Sequence, residues 1–133
     1  MAKISSSIKS EPYKIEITSP TGNNIIADEP IEMGGKDAGF SPKELLASSL
    51  AACTSATVKI YANNKGWDLK EIKIEVQLEF DSKENLTRIH RTIEFLGTLD
   101  DSQKKRLLNV ANACPIHKIL SNPVEIETIL SDK

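Results

Sequence analysis

Cysteine is scarce in this sequence, since only Cys53 and Cys114 occur among 133 residues. Two cysteines are too few for the disulfide scaffold of a small secreted protein. The N-terminal stretch MAKISSSIKSEP also has no apolar signal-peptide core, so we expect a cytoplasmic protein. Because thiols are normally reduced in the cytosol, two free thiols are left to be explained.

Long apolar runs and an excess of positive charge are missing as well. No run approaches the roughly 18 apolar residues of a membrane span, so we expect no membrane partner. The chain has 17 Lys and Arg against 19 Asp and Glu, a net charge of −2. Without a basic stripe, nucleic acid is not an expected partner. The length and the 39% hydrophobic content predict one domain over residues 1–133, with residues 1–10 frayed.

A long helix is the clearest secondary-structure signal. Ser41 is a good N-cap, Pro42 suits the first helical position, and Glu44 completes an S-x-x-E capping box. The helix should end within residues 63–66, where Asn or Gly can adopt a left-handed conformation. The small residues in SSLAACTSA allow another backbone to come close, which suits a helix buried in the fold or between two subunits. Its predicted apolar face contains Leu46, Leu50, Cys53, Thr57 and Ile60.

The remaining patterns predict short strands, one hairpin of long strands and two further helices. Alternating residues predict strands, and turn residues and helix signals separate them. The predicted order β-β-α-β-β-α-α-β indicates an α+β fold. The predicted segments are strands at 13–17, 25–28, 71–80 and 89–95, helices from 100 and at 116–120, and a last strand at 124–128.

The two cysteines stand in different local environments. Cys114 precedes Pro115 near the start of a short helix, where free N–H groups stabilise a thiolate, and His117 follows one turn later. Cys53 lies in the middle of the long helix, where burial alone would raise its pKa. A reactive Cys53 therefore needs a nearby cation. Arg91 is the candidate, because it shares the inward-facing parity of the apolar residues on its strand.

Each of these residues also has an ordinary structural interpretation. Cys53 and Cys114 can be small core residues, and His117 can be a surface or core histidine. Arg91 can extend from the edge of the sheet into water, and the capping box alone explains Glu44. The two cysteines and His117 supply three ligands, whereas structural zinc normally takes four from tighter clusters. We therefore expect no metal and no cofactor.

The two cysteine motifs together resemble those of the OsmC/Ohr family. Gly34-Gly35, the segment SPKELL from Ser41 and LAACT around Cys53 resemble the first motif. The segment NACPIHK around Cys114 resembles the second, and the spacing of 61 residues between the cysteines fits. The sequence is most similar to the OsmC-like branch with P-x-E-L-L and C-P-[VI]-H-K motifs.

This resemblance implies an intertwined homodimer with antiparallel sheets packed around a long central helix and two active sites at the subunit interface. It implies reduction of organic hydroperoxides without metal or flavin. By position, Cys53 would attack the peroxide and become a sulfenic acid, and Cys114 would condense with it to a disulfide. An external thiol reductant would then restore both thiols.

The sequence departs from the Ohr pattern at two positions. Ohr proteins use an arginine near the N-terminus, but no arginine precedes Arg88 here, and Arg91 is the substitute candidate. Lys43 stands where the activating glutamate is expected, with Glu44 one place later. Glu44 is about 13 Å along the helix from Cys53 and about 180° around it, so it could support only a partner subunit's site.

Two other functions are also compatible with the sequence. The first is a non-catalytic or sensor-type dimeric module that binds a small apolar or thiol-reactive ligand at the subunit interface. The second is a thiol acyl-transfer or hydrolytic enzyme that uses Cys114 and His117. The second function also needs an oxyanion site and a third orienting group, and the sequence identifies neither.

Overall fold

The computed structural model describes residues 1–131, and these divide into two compact units. One unit contains Met1–Ser48 and Phe80–Thr87, and the other contains Ser49–Glu79 and the chain from Arg88 onward. The single domain inferred from the chain length stays a prediction. The elements are β1 (Ser5–Ile8), β2 (Ile15–Thr18), β3 (Asn24–Ala27), a 3₁₀ turn (Ile31–Met33), α1 (Pro42–Lys65), β4 (Asp68–Asp81), β5 (Leu86–Thr98), α2 (Asp101–Ala111) and α3 (Pro115–Leu120).

The first unit contains a three-stranded antiparallel sheet in the order β1-β2-β3. Ile17 of β2 lies opposite Ser6 of β1 and Ile25 of β3. The prediction that residues 1–10 are frayed is therefore wrong for Ser5–Ile8. The side chains of β1 are exposed, but its backbone pairs with β2. Backbone hydrogen bonds can hold such a strand even where its side chains are not buried.

A buried carboxylate organises the loop that follows β3. Asp28 is only 2% exposed, and its carboxylate accepts backbone N–H groups from Glu29 at 2.8 Å and from Lys36 and Ala38 at 3.1 Å each. The loop folds back so closely that a Cβ on Gly35 would lie 1.9 Å from the carbonyl oxygen of Glu29. Glycine is therefore required at that position for steric reasons.

Helix α1 begins with the predicted capping box. The Ser41 N–H donates to Glu44 Oε1 at 2.8 Å, and the Glu44 N–H donates to Ser41 Oγ at 3.2 Å. The helix ends before Gly66, which adopts a left-handed φ of 70°. Both ends thus agree with the sequence prediction.

The face of α1 that is buried within the chain differs from the predicted apolar face. On the predicted face Leu50 is buried, whereas Ile60 and Leu46 are 61% and 43% exposed, and burial of this face between two subunits stays a prediction. Thr54 and Val58 are buried instead, so the covered face is rotated by about 100°, one residue, from the predicted one. The full buried stripe is Leu50, Thr54, Val58 and Ala62.

By length and composition α1 could cross a membrane, although the sequence predicts no membrane span. Its most apolar window has a mean hydropathy of 1.3, and 22% of that window is buried within the chain. Small residues such as those around Cys53 raise the mean without forming a run of large apolar side chains. The core helix of a soluble protein can have the same length and composition, so this single helix is weak evidence for a membrane span.

The second unit contains the β4–β5 sheet and a core formed against α1 and α2. Along β5, Ile89, Arg91 and Ile93 are half-buried and alternate with exposed residues, as predicted. Gly97, at φ 142°, permits a close approach, since a Cβ there would lie 2.0 Å from the carbonyl oxygen of Asp68. The buried members of this core are Val58, Ala62, Leu69, Leu107 and Ala111.

The predicted last strand at 124–128 is wrong. After α3 the described chain up to residue 131 contains neither helix nor strand. Val124 and Ile126 are 64% and 85% exposed. Alternating residues form a strand only where a neighbouring strand pairs with them, and the described part of this chain does not provide such a partner here.

Candidate active site

Cys114 stands at the junction between α2 and α3. Its extended backbone, with φ −68° and ψ 148°, is the conformation that a following proline favours. This conformation makes Cys114 the N-cap of α3, and its Sγ accepts the backbone N–H of His117 at 3.3 Å. The residue is 0% exposed. The sequence therefore places this sulfur at a helix N-terminus, as expected from the Cys-Pro motif.

Cys53 approaches Cys114 from α1. It is half-buried, and its sulfur lies 4.0 Å from the Thr57 hydroxyl. Its thiol is also near enough to Cys114 to lower the pKa of that residue through a hydrogen bond. Both cysteines are free thiols. Two residues that are 61 positions apart in the sequence are thus neighbours within the second unit.

Arg91 reaches the same cluster from β5. One guanidinium nitrogen donates to Thr54 Oγ1 at 2.8 Å, and the other contacts Asn112 Oδ1 at 2.9 Å and His117 Nδ1 at 3.0 Å. A guanidinium has only donors, so His117 Nδ1 is the acceptor in this contact. Arg91 is therefore held in one orientation by three elements of the second unit.

Thr54 and Asn112 were not singled out from the sequence. Thr54 is fully buried, and its hydroxyl donates to the Leu50 carbonyl at 2.6 Å and lies 3.7 Å from Cys114 Sγ. Thr54 follows Cys53 directly, so it lies on a different face of α1, the one that is buried. Thr54 and Asn112 lie within two residues of a cysteine in the sequence, and this closeness was the signal that could have pointed to them.

Opposing effects set the pKa of Cys114. Burial raises the pKa, but the His117 backbone N–H, the Thr54 hydroxyl and the Cys53 thiol lower it through hydrogen bonds. The positive charge of Arg91 lowers it further, and the net result is a pKa below the usual 9.0. The local environment therefore favours the thiolate at Cys114, as the sequence indicated.

The other candidate residues have different surroundings. The His117 ring contacts Arg91, and the group that reaches Cys114 Sγ is the His117 backbone N–H. This arrangement does not support His117 as a base for Cys114. Glu44 belongs to the first unit and takes part in the capping box, so a catalytic role for it stays a prediction. Within residues 1–131, no three His, Cys, Asp or Glu side chains form a group that could hold a metal ion.

Comparison with known proteins identifies the family. The family model described as OsmC-like protein matches residues 34–129, which include both cysteines and Arg91. The chain belongs to the OsmC-like family. No curated protein sequence matched this OsmC-like chain.

Solved structures share the OsmC-like α+β fold with antiparallel sheets and a long helix. A Psychrobacter arcticus 273-4 protein, described as an osmotic stress induced and detoxification response protein, is 29% identical, with a TM-score of 0.78 over 90% of this chain and 88% of that chain. The organic hydroperoxide resistance protein OhrB of Bacillus subtilis is 25% identical, with a TM-score of 0.61 over 90% and 89% of the two chains. An OsmC-like protein from Mycoplasma pneumoniae, 22% identical over 91% and 87%, shares the fold with a TM-score of 0.78.

Proposed function

We propose that this protein is a cysteine-based peroxidase that reduces organic hydroperoxides in the response to oxidative stress. The observation that carries this proposal is the position of Thr54, the residue after Cys53, whose hydroxyl contacts both Cys114 Sγ and the Arg91 guanidinium and so brings the two cysteines and the cation together. The family and the likeness to an organic hydroperoxide resistance protein support the substrate class. The chemistry requires only thiols and a peroxide, without a metal or an organic cofactor.

The proposed reaction has two steps at the cysteine pair. In the first, the Cys53 sulfur attacks a peroxide oxygen, so that an S–O bond forms, the O–O bond breaks and the alcohol leaves with a proton. The peroxide is reduced and Cys53 becomes a sulfenic acid. In the second, the Cys114 thiolate attacks the Cys53 sulfur, and an S–S bond replaces the S–O bond as hydroxide leaves. Hydroxide takes up a proton to become water, and an external dithiol then reduces the disulfide.

The partial exposure of Cys53 and the burial of Cys114 support this order of events. A peroxide from solvent meets Cys53 first, because Cys114 is 0% exposed. Cys114 in turn needs no contact with the substrate if its task is to attack the sulfenic acid beside it. Arg91 supplies the positive charge of the cluster, in the role that we propose for it in place of the missing N-terminal arginine.

We also propose that the active form is a homodimer in which a second copy covers α1. Only 22% of the most apolar window of α1 is buried within the chain, and Ile60 is 61% exposed. Cys53 and Ile60 are seven residues apart, so they lie on nearly the same face of the helix. A second copy on this face would therefore also enclose the half-buried thiol.

Peroxide consumption in the presence of a dithiol tests the proposed function. Cumene hydroperoxide should be consumed much faster than hydrogen peroxide by the unaltered protein. Cys53→Ser should abolish the activity, and Cys114→Ser should stop it after the first turnover because no disulfide can form. The control is Ser55→Ala, a change of similar size in the same helix.

A different set of rates would overturn the proposal. Equal consumption by the unaltered protein and by Cys53→Ser would exclude a peroxidatic Cys53. No turnover by the unaltered protein, with Cys53 remaining a slowly reacting thiol, would favour a ligand-binding module. A screen for bound small apolar molecules would then follow.

A further inference from the structure

The Thr54 hydroxyl lies between the positive charge of Arg91 and the sulfur of Cys114. Arg91 donates to Thr54 Oγ1 at 2.8 Å, and the same oxygen lies 3.7 Å from Cys114 Sγ. Thr54 is 0% exposed, so water does not take the place of these partners. The oxygen therefore connects Arg91 to Cys114 by two consecutive polar contacts.

This hydroxyl has one proton but two neighbouring acceptors. It donates to the Leu50 carbonyl at 2.6 Å, a common bond for threonine within a helix. When Cys114 carries its proton, the thiol can donate to Thr54 Oγ1 while the hydroxyl keeps its bond to Leu50. When Cys114 is ionised it has no proton to donate, and the thiolate becomes the stronger acceptor because it is charged.

We propose that Thr54 is a positioning residue whose hydroxyl turns from the Leu50 carbonyl to the Cys114 sulfur when that thiol ionises. The Arg91 N–H remains on Thr54 Oγ1 in both states and makes the hydroxyl a better donor by polarising it. Thr54 thereby transmits part of the influence of Arg91 to the resolving cysteine, in addition to the direct effect of the charge.

The groups around Cys114 are consistent with this transmission. From α1, Thr54 and the Cys53 thiol approach the sulfur; from α3, the His117 backbone N–H does so. Arg91 on β5 is the charged group whose field acts on it, and the titratable His117 ring bonds to Arg91. The hydrogen bonds that lower the pKa of Cys114 include the one from Thr54.

The consequence for turnover rests on the proposed function. A Cys114 that is already a thiolate attacks the Cys53 sulfenic acid without first losing a proton, which shortens the lifetime of that acid. The S–S bond forms as the S–O bond breaks, and the leaving hydroxide becomes water. Loss of the Thr54 hydroxyl should therefore slow disulfide closure while leaving the first attack by Cys53 less affected.

A titration that needs no peroxide tests the proposal independently of the proposed function. In a Cys53→Ser background Cys114 is the only thiol, and the ultraviolet absorbance of its thiolate reports its ionisation against pH. Adding Thr54→Val should raise the pKa of Cys114, because the isosteric side chain cannot donate. Thr54→Ser should restore it. Thr57→Val, which removes a hydroxyl one turn away, should leave it unchanged.

The outcome that overturns the proposal is a Cys114 titration that is the same with valine and threonine at position 54. A second comparison uses Arg91→Met alone and together with Thr54→Val. If Thr54 transmits the effect of Arg91, the two shifts should be clearly less than additive, whereas additive shifts would contradict transmission. Thr54→Ala serves as a second apolar variant with the same expectation if the valine variant does not fold.

The kinetic arm separates the two proposals. In the protein with both cysteines, Thr54→Val should slow disulfide closure by about tenfold, the effect of one hydrogen bond to a charged group. Unchanged closure would contradict the kinetic consequence even if the titration shifts. If no peroxide reacts with any variant while the titration still shifts, the proposed function fails and the role of Thr54 stands.

Discussion

At the residue scale, single polar side chains with several backbone or side-chain partners organise both units. Asp28 accepts three N–H groups and holds the loop after β3. Arg91 donates to Thr54, Asn112 and His117 and gives the thiol cluster its charge. In each case the geometry of the whole set of bonds matters more than the charge alone, and this leads to two predictions.

Arg91→Lys should lower peroxide turnover even though the charge is kept. A lysine ammonium on a flexible stem cannot hold the planar, forked arrangement that reaches Thr54, Asn112 and His117 together. We expect kcat/KM for cumene hydroperoxide to fall by about tenfold, the effect of losing one charge-assisted hydrogen bond. Arg88→Lys, an exposed change on the same strand, is the control. Equal rates for Arg91→Lys and the unaltered protein would contradict the proposed role.

Asp28→Asn should make the protein less stable at neutral pH. The Ala38 backbone N–H has the largest effect on the Asp28 carboxyl and lowers its pKa below the ordinary 3.8, against the opposing effect of burial. In the asparagine variant an NH₂ group replaces one carboxylate oxygen. It would face either the Glu29 N–H or the Lys36 and Ala38 N–H groups, so at least one of these donors would lose its acceptor.

The pH dependence of this effect has a definite sign. Because folding lowers the pKa, the carboxylate contributes stability in full above 3.8 and loses it as the pH falls through the lower folded value. Urea unfolding at several pH values should therefore show a difference between Asp28→Asn and the unaltered protein that shrinks in acid. Asp37→Asn, in the same loop but exposed, should show little difference. A difference that grows in acid would contradict the assignment.

At the scale of the elements, the sequence predicts the ends of the helices better than their buried faces. The capping residues of α1 and the Cys-Pro start of α3 act through local hydrogen bonds, so their patterns are readable. The face of α1 that is buried within the chain depends on which neighbours pack against it, so Ile60 is exposed there and the buried Thr54 was missed. The predicted strand at 124–128 failed for the same reason, since pairing is not a local property.

Local patterns likewise predict only part of the candidate site. Cys114 at a helix N-terminus and the inward parity of Arg91 follow from local patterns, and the structure agrees with both. The family resemblance, rather than any local pattern, paired Cys53 with Cys114. The bonds of Arg91 to Thr54 and Asn112 join distant parts of the chain and could not be derived from spacing.

Asp100→Ala should destabilise the protein through the start of α2. The Asp100 side chain accepts the Gln103 N–H at 2.7 Å, and the Gln103 side chain accepts the Asp100 N–H at 2.9 Å. Loss of such a cap costs about 1 kcal/mol of the free energy of unfolding. Because α2 carries the buried Leu107 and Ala111, the loss should appear in global urea unfolding. Asp101→Ala, in the first turn but outside the cap, should cost less than half as much; an equal loss would contradict a specific cap.

At the scale of the whole molecule, the exposed apolar residues of α1 mark the face on which we propose that a second copy packs. Ile60 is exposed in a helix whose most apolar window has a mean hydropathy of 1.3, and this residue is suited to burial against a second copy. A homodimer would also bring further groups to the half-buried Cys53, where Glu44 of a second copy is the sequence-based candidate. The oligomeric state and the chemistry are therefore expected to change together.

Ile60→Glu should convert the expected dimer to a monomer and lower peroxide turnover. A buried glutamate without a partner costs several kcal/mol, enough to separate most dimers at micromolar concentration. Sedimentation velocity checks the mass, and flotation with lipid vesicles checks the alternative that a membrane covers α1. Thr92→Glu, on an exposed position of β5, is the matched control. An unaltered protein that sediments as a monomer would contradict the proposed homodimer.

The reaction product of the cysteine pair is the most direct measurement of the proposed chemistry. The reduced protein is mixed with one equivalent of cumene hydroperoxide and analysed by mass spectrometry of the intact and digested chain. We expect the unaltered protein to lose two hydrogen atoms and to yield a peptide linked through Cys53 and Cys114. Cys114→Ser should instead gain one oxygen at Cys53. An unaltered protein that keeps both thiols free, or that gains oxygen at Cys114 alone, would contradict the proposed peroxidase.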